Sequence, residues 1–179
     1  MRHTVIPALA LAICLPLSAQ GQDREAKIKN ALSAAPAALA EHAAVMDWDN
    51  AELRPGTNGW TCLPDSPQIQ ENTPMCLDAQ WLKWVDAWAN EREAPSEVSE
   101  IGIAYMLQGG YDASNTDPFA TFPPAGVECT ECLESGPHLM IIVPDVEMLN
   151  GMPTDPNSGG PWVMFQGTPY AHIMVPVGK

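Results

Sequence analysis

The stretch Leu77-Asp78-Ala79-Gln80-Trp81-Leu82-Lys83-Trp84-Val85-Asp86-Ala87-Trp88-Ala89-Asn90-Glu91-Arg92 decides the fold class. Leu77, Trp81, Trp84, Val85 and Trp88 recur at spacings of three and four, which puts them on one face of a helix. Asp78 is placed to cap the first turn, and Pro95 is placed to stop the helix. A face carrying three indoles needs a large apolar partner. The spacing therefore predicts one main amphipathic helix over residues 77–92, packed on a sheet.

The sheet is legible on both sides of that helix. Downstream, Ile101, Ile103, Tyr105 and Leu107 alternate with Gly102, Ala104, Met106 and Gln108, a strand pattern stopped by Gly109-Gly110. Residues 138–143 form an apolar run ended by Pro144, and residues 146–149 suit a single helical turn. Residues 162–165 and 170–175 read as strands joined by the turn Gln166-Gly167-Thr168-Pro169. Residues 111–136 and 151–161, rich in Asp, Asn, Pro and Gly, read as loops. Upstream, residues 46–49, 52–54 and 59–63 read as short strands between turn sequences. The Ala-rich run from Asp23 suits an N-terminal helix broken by Pro36. The expected class is α+β: a mostly antiparallel sheet packed by the Trp-rich helix, plus the N-terminal helix.

The extreme N-terminus reads differently. Arg2 and His3 precede an uncharged apolar run to Leu17, followed by Ser18, Ala19, Gln20 and Gly21. This is the layout of a secretory signal peptide, with cleavage expected between Ala19 and Asp23. The run is short for a bilayer of ~30 Å and is interrupted by Pro7 and Pro16. Cys14 follows Ile13, where a lipoprotein signal wants a small residue. The expected organisation is a signal peptide over 1–21 and one exported domain over 22–179, in the periplasm or outside the cell.

Cys62, Cys76, Cys129 and Cys132 remain after such cleavage. An even number in an exported chain reads as two disulfides, and four cysteines allow three pairings. The expected pairing is the sequence-local one, Cys62 with Cys76 and Cys129 with Cys132. Closing the loop between the first two restricts the unfolded chain by ~3 kcal/mol.

The chain has 179 residues, 8 Lys+Arg and 22 Asp+Glu, for a net charge of -14. Polyanion binding rests on clustered cations, so nucleic acid and anionic membrane surfaces are poor partners. With 46% hydrophobic and only 17% charged residues, the chain has the composition of a folded domain.

The chemistry-bearing pattern is a repeated triplet. His138-Leu139-Met140 opens one late strand and His172-Ile173-Met174 lies in another. Residues two apart in a strand share a face. So His138 pairs with Met140, and His172 with Met174, on faces expected to point away from the Trp helix and to be roofed by the two loops. If the strands are neighbours, two imidazoles and two thioethers converge, a soft donor set suited to Cu(I). Met164 is one hairpin away and is a further candidate ligand. The first expectation is thus a binding protein for copper or a small ligand.

Other readings stay open. Methionines on such strands also serve as core filler. Cys129-x-x-Cys132 is half of a tetrahedral zinc site that His138 and His172 could complete. Glu128, Glu131 and Glu134 around it oppose a low thiol pKa and hence a thioredoxin-type role. His138 or His172 with Asp117, Asp145 or Asp155 would make an acid–base enzyme. An interaction module with no small-molecule site is the third class. His42 lies alone in the Ala-rich segment. Residues 154–160 open like a calcium loop but lack its later Glu, so an Asx turn is expected. Acyl-transfer and phosphate-loop motifs are missing from the sequence.

The runs Thr57-Asn58-Gly59-Trp60-Thr61-Cys62-Leu63-Pro64-Asp65, Pro74-Met75-Cys76-Leu77-Asp78, Pro137-His138-Leu139-Met140 and Tyr170-Ala171-His172-Ile173-Met174-Val175-Pro176 resemble a pattern in a group of exported bacterial proteins. The resemblance spans most of the chain after Gly21, with Cys129 and Cys132 outside the pattern. It implies export and carries no activity, fold or cofactor.

Overall fold

The computed structural model describes residues 17–124 and 126–178. The expected signal peptide lies outside the described residues up to residue 16, and its cleavage window falls in the first turns of the first helix. That helix, α1 (Leu17–Leu32), is followed by α2 (Ala37–Ala40) after the break at Pro36. Then come β1 (Ala44–Met46), β2 (Glu52–Arg54), β3 (Thr61–Leu63), β4 (Met75–Leu77) and α3 (Ala79–Ala89). Strands β5 (Gly102–Met106), β6 (Gly110–Asp112), β7 (Leu133–Ser135) and β8 (His138–Ile142) lead to a 3-10 turn at Val146–Leu149. Strands β9 (Trp162–Met164) and β10 (His172–Pro176) close the chain.

Eight strands form one sheet in the order β2-β1-β3-β4-β5-β8-β10-β9, and β6 pairs with β7 separately. Only the β1–β3 pair within the large sheet is parallel. The class is therefore α+β with a mostly antiparallel sheet, as the periodicity predicts.

The Trp helix is shorter than its periodicity suggests. Leu77 is taken by β4, a strand hidden in the sequence by its three-residue length and by the polar loop before it. Asp78 then caps α3 through one carboxylate oxygen, which accepts from Gln80 N and Trp81 N, both at 2.9 Å. Its other oxygen accepts from Ile103 N of β5 at 2.6 Å, so one side chain starts the helix and seats it on the sheet. The helix ends at Ala89, before Pro95. Glu91 turns left-handed (φ 49°) and Arg92 N returns to Ala87 O at 3.0 Å. Gly102 lets α3 come close: a Cβ there would lie 2.7 Å from Ile142 Cγ1 and 2.8 Å from Gln80 Cβ.

The sheet has two apolar faces. On one, α1 covers β1 to β4 around Ala31, Ala34, Val45, Cys62 and Cys76. On the other, α3 sets Trp81 and Trp84 against Met140, Met174, Trp162 and Met164. The first strand sits at Ala44–Met46 where residues 46–49 were expected, because Asp47 to Asn50 make the turn into β2. The long loop 111–136 also contains β6 and β7, whose short lengths and polar neighbours conceal them in sequence.

Both disulfides have the expected pairing. Cys62 and Cys76 are directly opposed on β3 and β4, with Cα atoms 3.9 Å apart, and are wholly buried. Cys129–Cys132 staples the turn before β7. No helix among the described residues is long and apolar enough to cross a membrane.

Candidate functional site

The His-x-Met strands are neighbours, and both triplets share a face. Strand β8 runs antiparallel to β10, with Met174 opposite Met140 and Pro176 opposite His138. The face is the inward one, which corrects the expectation of an outward site. His138, Met140, His172 and Met174 are all buried, whereas Leu139, Ile141, Ile173 and Val175 are only half-buried. The physical reason lies in the other side of β8, β10 and β9. There the covering layer is only the 3-10 turn and its loop, around Leu149, Val163 and Ala171. The broad Trp surface of α3 takes the Met-rich face.

Packing there is incomplete. A cavity of about 250 Å³ lies between this face and α3. Its floor includes Met106, His138, Met140, Met164, His172 and Met174, and Trp81, Trp84 and Trp88 form a wall. The roof is the segment 111–122, flanked by Ser66, Gln68, Ile69 and Thr73; the second loop expected to roof the face, residues 151–161, contributes no lining residue. Segment 111–122 is tied down by Trp88 Nε1, which donates to Pro118 O at 2.6 Å, and by Phe165 N, which donates to Asn115 O at 2.9 Å. Phe119 stands edge-on to Tyr170, with ring centres 5.3 Å apart.

Both imidazoles are oriented by the backbone. His138 Nδ1 lies 2.7 Å from Gly136 O, and His172 Nδ1 lies 3.1 Å from Tyr170 O. A carbonyl oxygen only accepts, so each Nδ1 carries the proton and each Nε2 is left with its lone pair. Burial lowers both pKa values below the ordinary imidazole range, His172 to about 4, so both rings are neutral at pH 7. Neither Nε2 has a hydrogen-bond partner among the described residues, and the same holds for Trp81 Nε1 and Trp84 Nε1. Buried polar atoms are normally paired. With Thr73 Oγ1, five such atoms belong to residues that line this one cavity.

The two ends of the cavity differ. His172 is enclosed by Trp81, Trp84 and Phe165, with ring centres 5.2, 5.4 and 5.5 Å away. His138 has a carboxyl near it. The space above Gly110 Cα is bounded by His138 Cε1 at 3.1 Å, Met106 Cε at 3.6 Å and Asp112 Oδ2 at 3.8 Å from an ideal Cβ. Asp112 is partly exposed as a residue, yet its carboxyl is enclosed, and loss of hydration pushes its pKa up to about 7.

The carboxylates chosen from sequence do other work. Asp145 caps the 3-10 turn through Glu147 N at 3.0 Å, and Asp155 makes an Asx turn with Asn157 N at 2.8 Å. Asp117 lies in the roof but is engaged by Phe119 N at 2.9 Å. Asp112, which the sequence left among the turn residues, is the carboxyl beside His138; its only signal was a place just after a strand-stopping Gly-Gly. His42 is exposed and takes no part in the cavity. Among the described residues no three of His, Cys, Asp or Glu gather as a metal group. The zinc alternative is thereby corrected: Cys129 and Cys132 are bonded to each other and are not joined by His138 and His172. Comparison with protein-family models, curated proteins and solved structures finds no match.

Proposed function

We propose that this chain is an exported binding protein that holds a soft metal ion, Cu(I), or a small ligand in the cavity between its His-x-Met strands and the Trp helix. The single observation behind the proposal is a buried imidazole Nε2, that of His172, aligned by its Nδ1–H bond to a carbonyl and left without a partner among the described residues, with His138 Nε2 held in the same way on the same face. Metal-ligating histidines are oriented in this way, with the far ring N–H held by a carbonyl. Thioethers of Met140, Met164 and Met174 on the same floor supply the soft donors Cu(I) favours. Export is supported by the two disulfides and by the signal-like start of the sequence.

The test is Cu(I) titration of the purified protein against a chromophoric Cu(I) chelator, anaerobically, alongside a thermal-shift screen of small aromatic and amide compounds. One equivalent of copper, or a compound that raises the Tm and fails to do so when a lining residue is enlarged by Ala113→Leu, supports the reading. Neither copper nor any compound bound overturns it.

A second reading rests on Asp112. A carboxyl with a pKa of about 7 and a neutral imidazole bound the same space above Gly110, and a substrate seated between them would meet one proton donor and one acceptor. If the protein is an enzyme, Asp112 and His138 carry proton transfer. Asp112→Asn then abolishes turnover while leaving Cu(I) affinity unchanged.

A further inference from the structure

The strand register sets the two histidines in different rows of the sheet. Met106 is opposite His138 across β5 and β8, and Ala104 is opposite Met140. Met140 is opposite Met174 across β8 and β10, and Met164 is opposite His172 across β9 and β10. These pairs define three successive rows of inward side chains. His138 stands in the first, Met140 and Met174 in the second, His172 and Met164 in the third. At ~3.3 Å per residue, four residues of strand separate the first row from the third by ~13 Å. Each ring is pinned by its Nδ1 bond to a carbonyl. One ion bridging both Nε2 atoms would need them ~4 Å apart, given metal–nitrogen bonds of ~2 Å.

The third row and its neighbour, by contrast, converge. Directly opposed side chains have Cβ atoms ~5 Å apart. Met164, Met174 and Met140 are long and unbranched, so their sulfurs can reach a point in front of His172 Nε2. We propose that the cavity holds a single monovalent soft ion at its His172 end, ligated by His172 Nε2 with thioethers from Met164, Met174 and Met140, and that His138 is not a ligand. This rests on the copper reading above and assigns it a centre.

Charge selects the ion. All four donors are neutral; of the two carboxyls that line the cavity, Asp112 lies at the other end beside His138 and Asp117 is held in the roof by Phe119 N. A divalent ion would leave two buried charges without a counter-charge. A monovalent ion leaves one, and the indole rings of Trp81 and Trp84, packed around His172, offset it by cation–π attraction. Softness then favours Cu(I), with Ag(I) as its redox-inert stand-in. The first row keeps a different chemistry: His138 Nε2 and the Asp112 carboxyl are left for hydrogen-bonding guests.

The test is Cu(I) titration under anaerobic, reducing conditions with the whole chain, comparing wild type with His172→Ala, Met164→Leu and His138→Ala. X-ray absorption of the copper-loaded wild type is measured in parallel. The expected result is one equivalent bound, one nitrogen and two or three sulfur scatterers, and quenched tryptophan fluorescence. His172→Ala should lower affinity more than ~100-fold, beyond what loss of an outer-shell partner costs. Met164→Leu conserves volume, so it keeps the fold and still weakens binding by ~10-fold or more. His138→Ala should stay within ~3-fold of wild type, as a site outside the ligand shell does. If wild type binds copper but His138→Ala weakens it as much as His172→Ala, or two nitrogen scatterers are found, the single-histidine centre is overturned and the binding reading stands. If wild type binds neither Cu(I) nor Ag(I), the copper half of that reading falls too.

Discussion

Met140 of β8 and Met174 of β10 face each other directly across the antiparallel ladder, and in doing so they stand between His138 and His172. The thioether pair separates two imidazoles that the sequence pattern would bring together. It also lies beside Trp162, the cross-strand neighbour of Met174. The two methionines are thus core residues and floor of the cavity at once.

These two roles come apart on substitution. Met174 is 1% exposed, so Met174→Ala should cost ~2–5 kcal/mol by leaving a void. Met140→Leu with Met174→Leu keeps volume and apolarity and should cost less than ~1.5 kcal/mol per site. Chemical denaturation measures the first effect. The double leucine variant, folded but poorer in thioether donors, should bind Cu(I) more weakly than wild type.

Stability should depend on pH in two opposed ways. Unfolded, His172 has its ordinary pKa of 6.5; folded, burial holds it at about 4. Between these values the unfolded chain binds a proton the folded protein refuses, so acidification destabilises. The full loss is ~3 kcal/mol at ~1.4 kcal/mol per pKa unit, and His138 adds to it in the same direction. Asp112 has the reverse sign: its carboxyl ionises near 3.8 unfolded and about 7 folded. Its contribution is complete at low pH and is lost as pH rises toward 7. Urea unfolding of Asp112→Asn across this range should remove the neutral-side decline and leave the acid-side loss in place.

Gly102→Ala should unseat the Trp helix. The added methyl would meet Ile142 Cγ1 at 2.7 Å and Gln80 Cβ at 2.8 Å, and the second belongs to α3 itself. The expected cost is ~1–3 kcal/mol from overpacking. Near-ultraviolet circular dichroism, dominated by the indoles, should change with it; an unaltered spectrum and Tm would show that α3 is not held by this contact.

The two disulfides should behave unlike each other. Cys62–Cys76 closes a separation of 14 residues and is wholly buried, so replacing both cysteines by alanine should cost ~3 kcal/mol. Cys129–Cys132 closes a separation of 3 and is only half-buried. Mild reductant should open it first, by access alone, with a smaller change in Tm. Mass spectrometry after graded reduction and alkylation gives the order.

Much of this architecture is legible in the residues. The Trp81-Trp84-Trp88 spacing, the alternation through Ile103 and Tyr105, and the Gly167 turn before β10 each appear as α3, β5 and the closing hairpin. Strands β4, β6 and β7 were not legible: Leu77 of β4 continues the apolar spacing of the helix that follows, and β6 and β7 lie at the ends of a run rich in Asp, Asn, Pro and Gly. Within the candidate site, the His-x-Met triplets could be picked out because a strand puts alternate residues on one face. Asp112 could not, because its place beside His138 depends on how β6 returns over the end of β5.

Local periodicity and composition determined the class of fold, the sequence-local disulfides and the sharing of one face by each His-Met pair, since all of these follow from the backbone repeat and short loop closure. Which face turned inward, the row of thioethers between the imidazoles and the carboxyl at one end of the cavity were decided only in three dimensions. They depend on the register of β8 against β10 and on which surface α3 had broad enough to cover the methionines, and neither is encoded in any single stretch of chain.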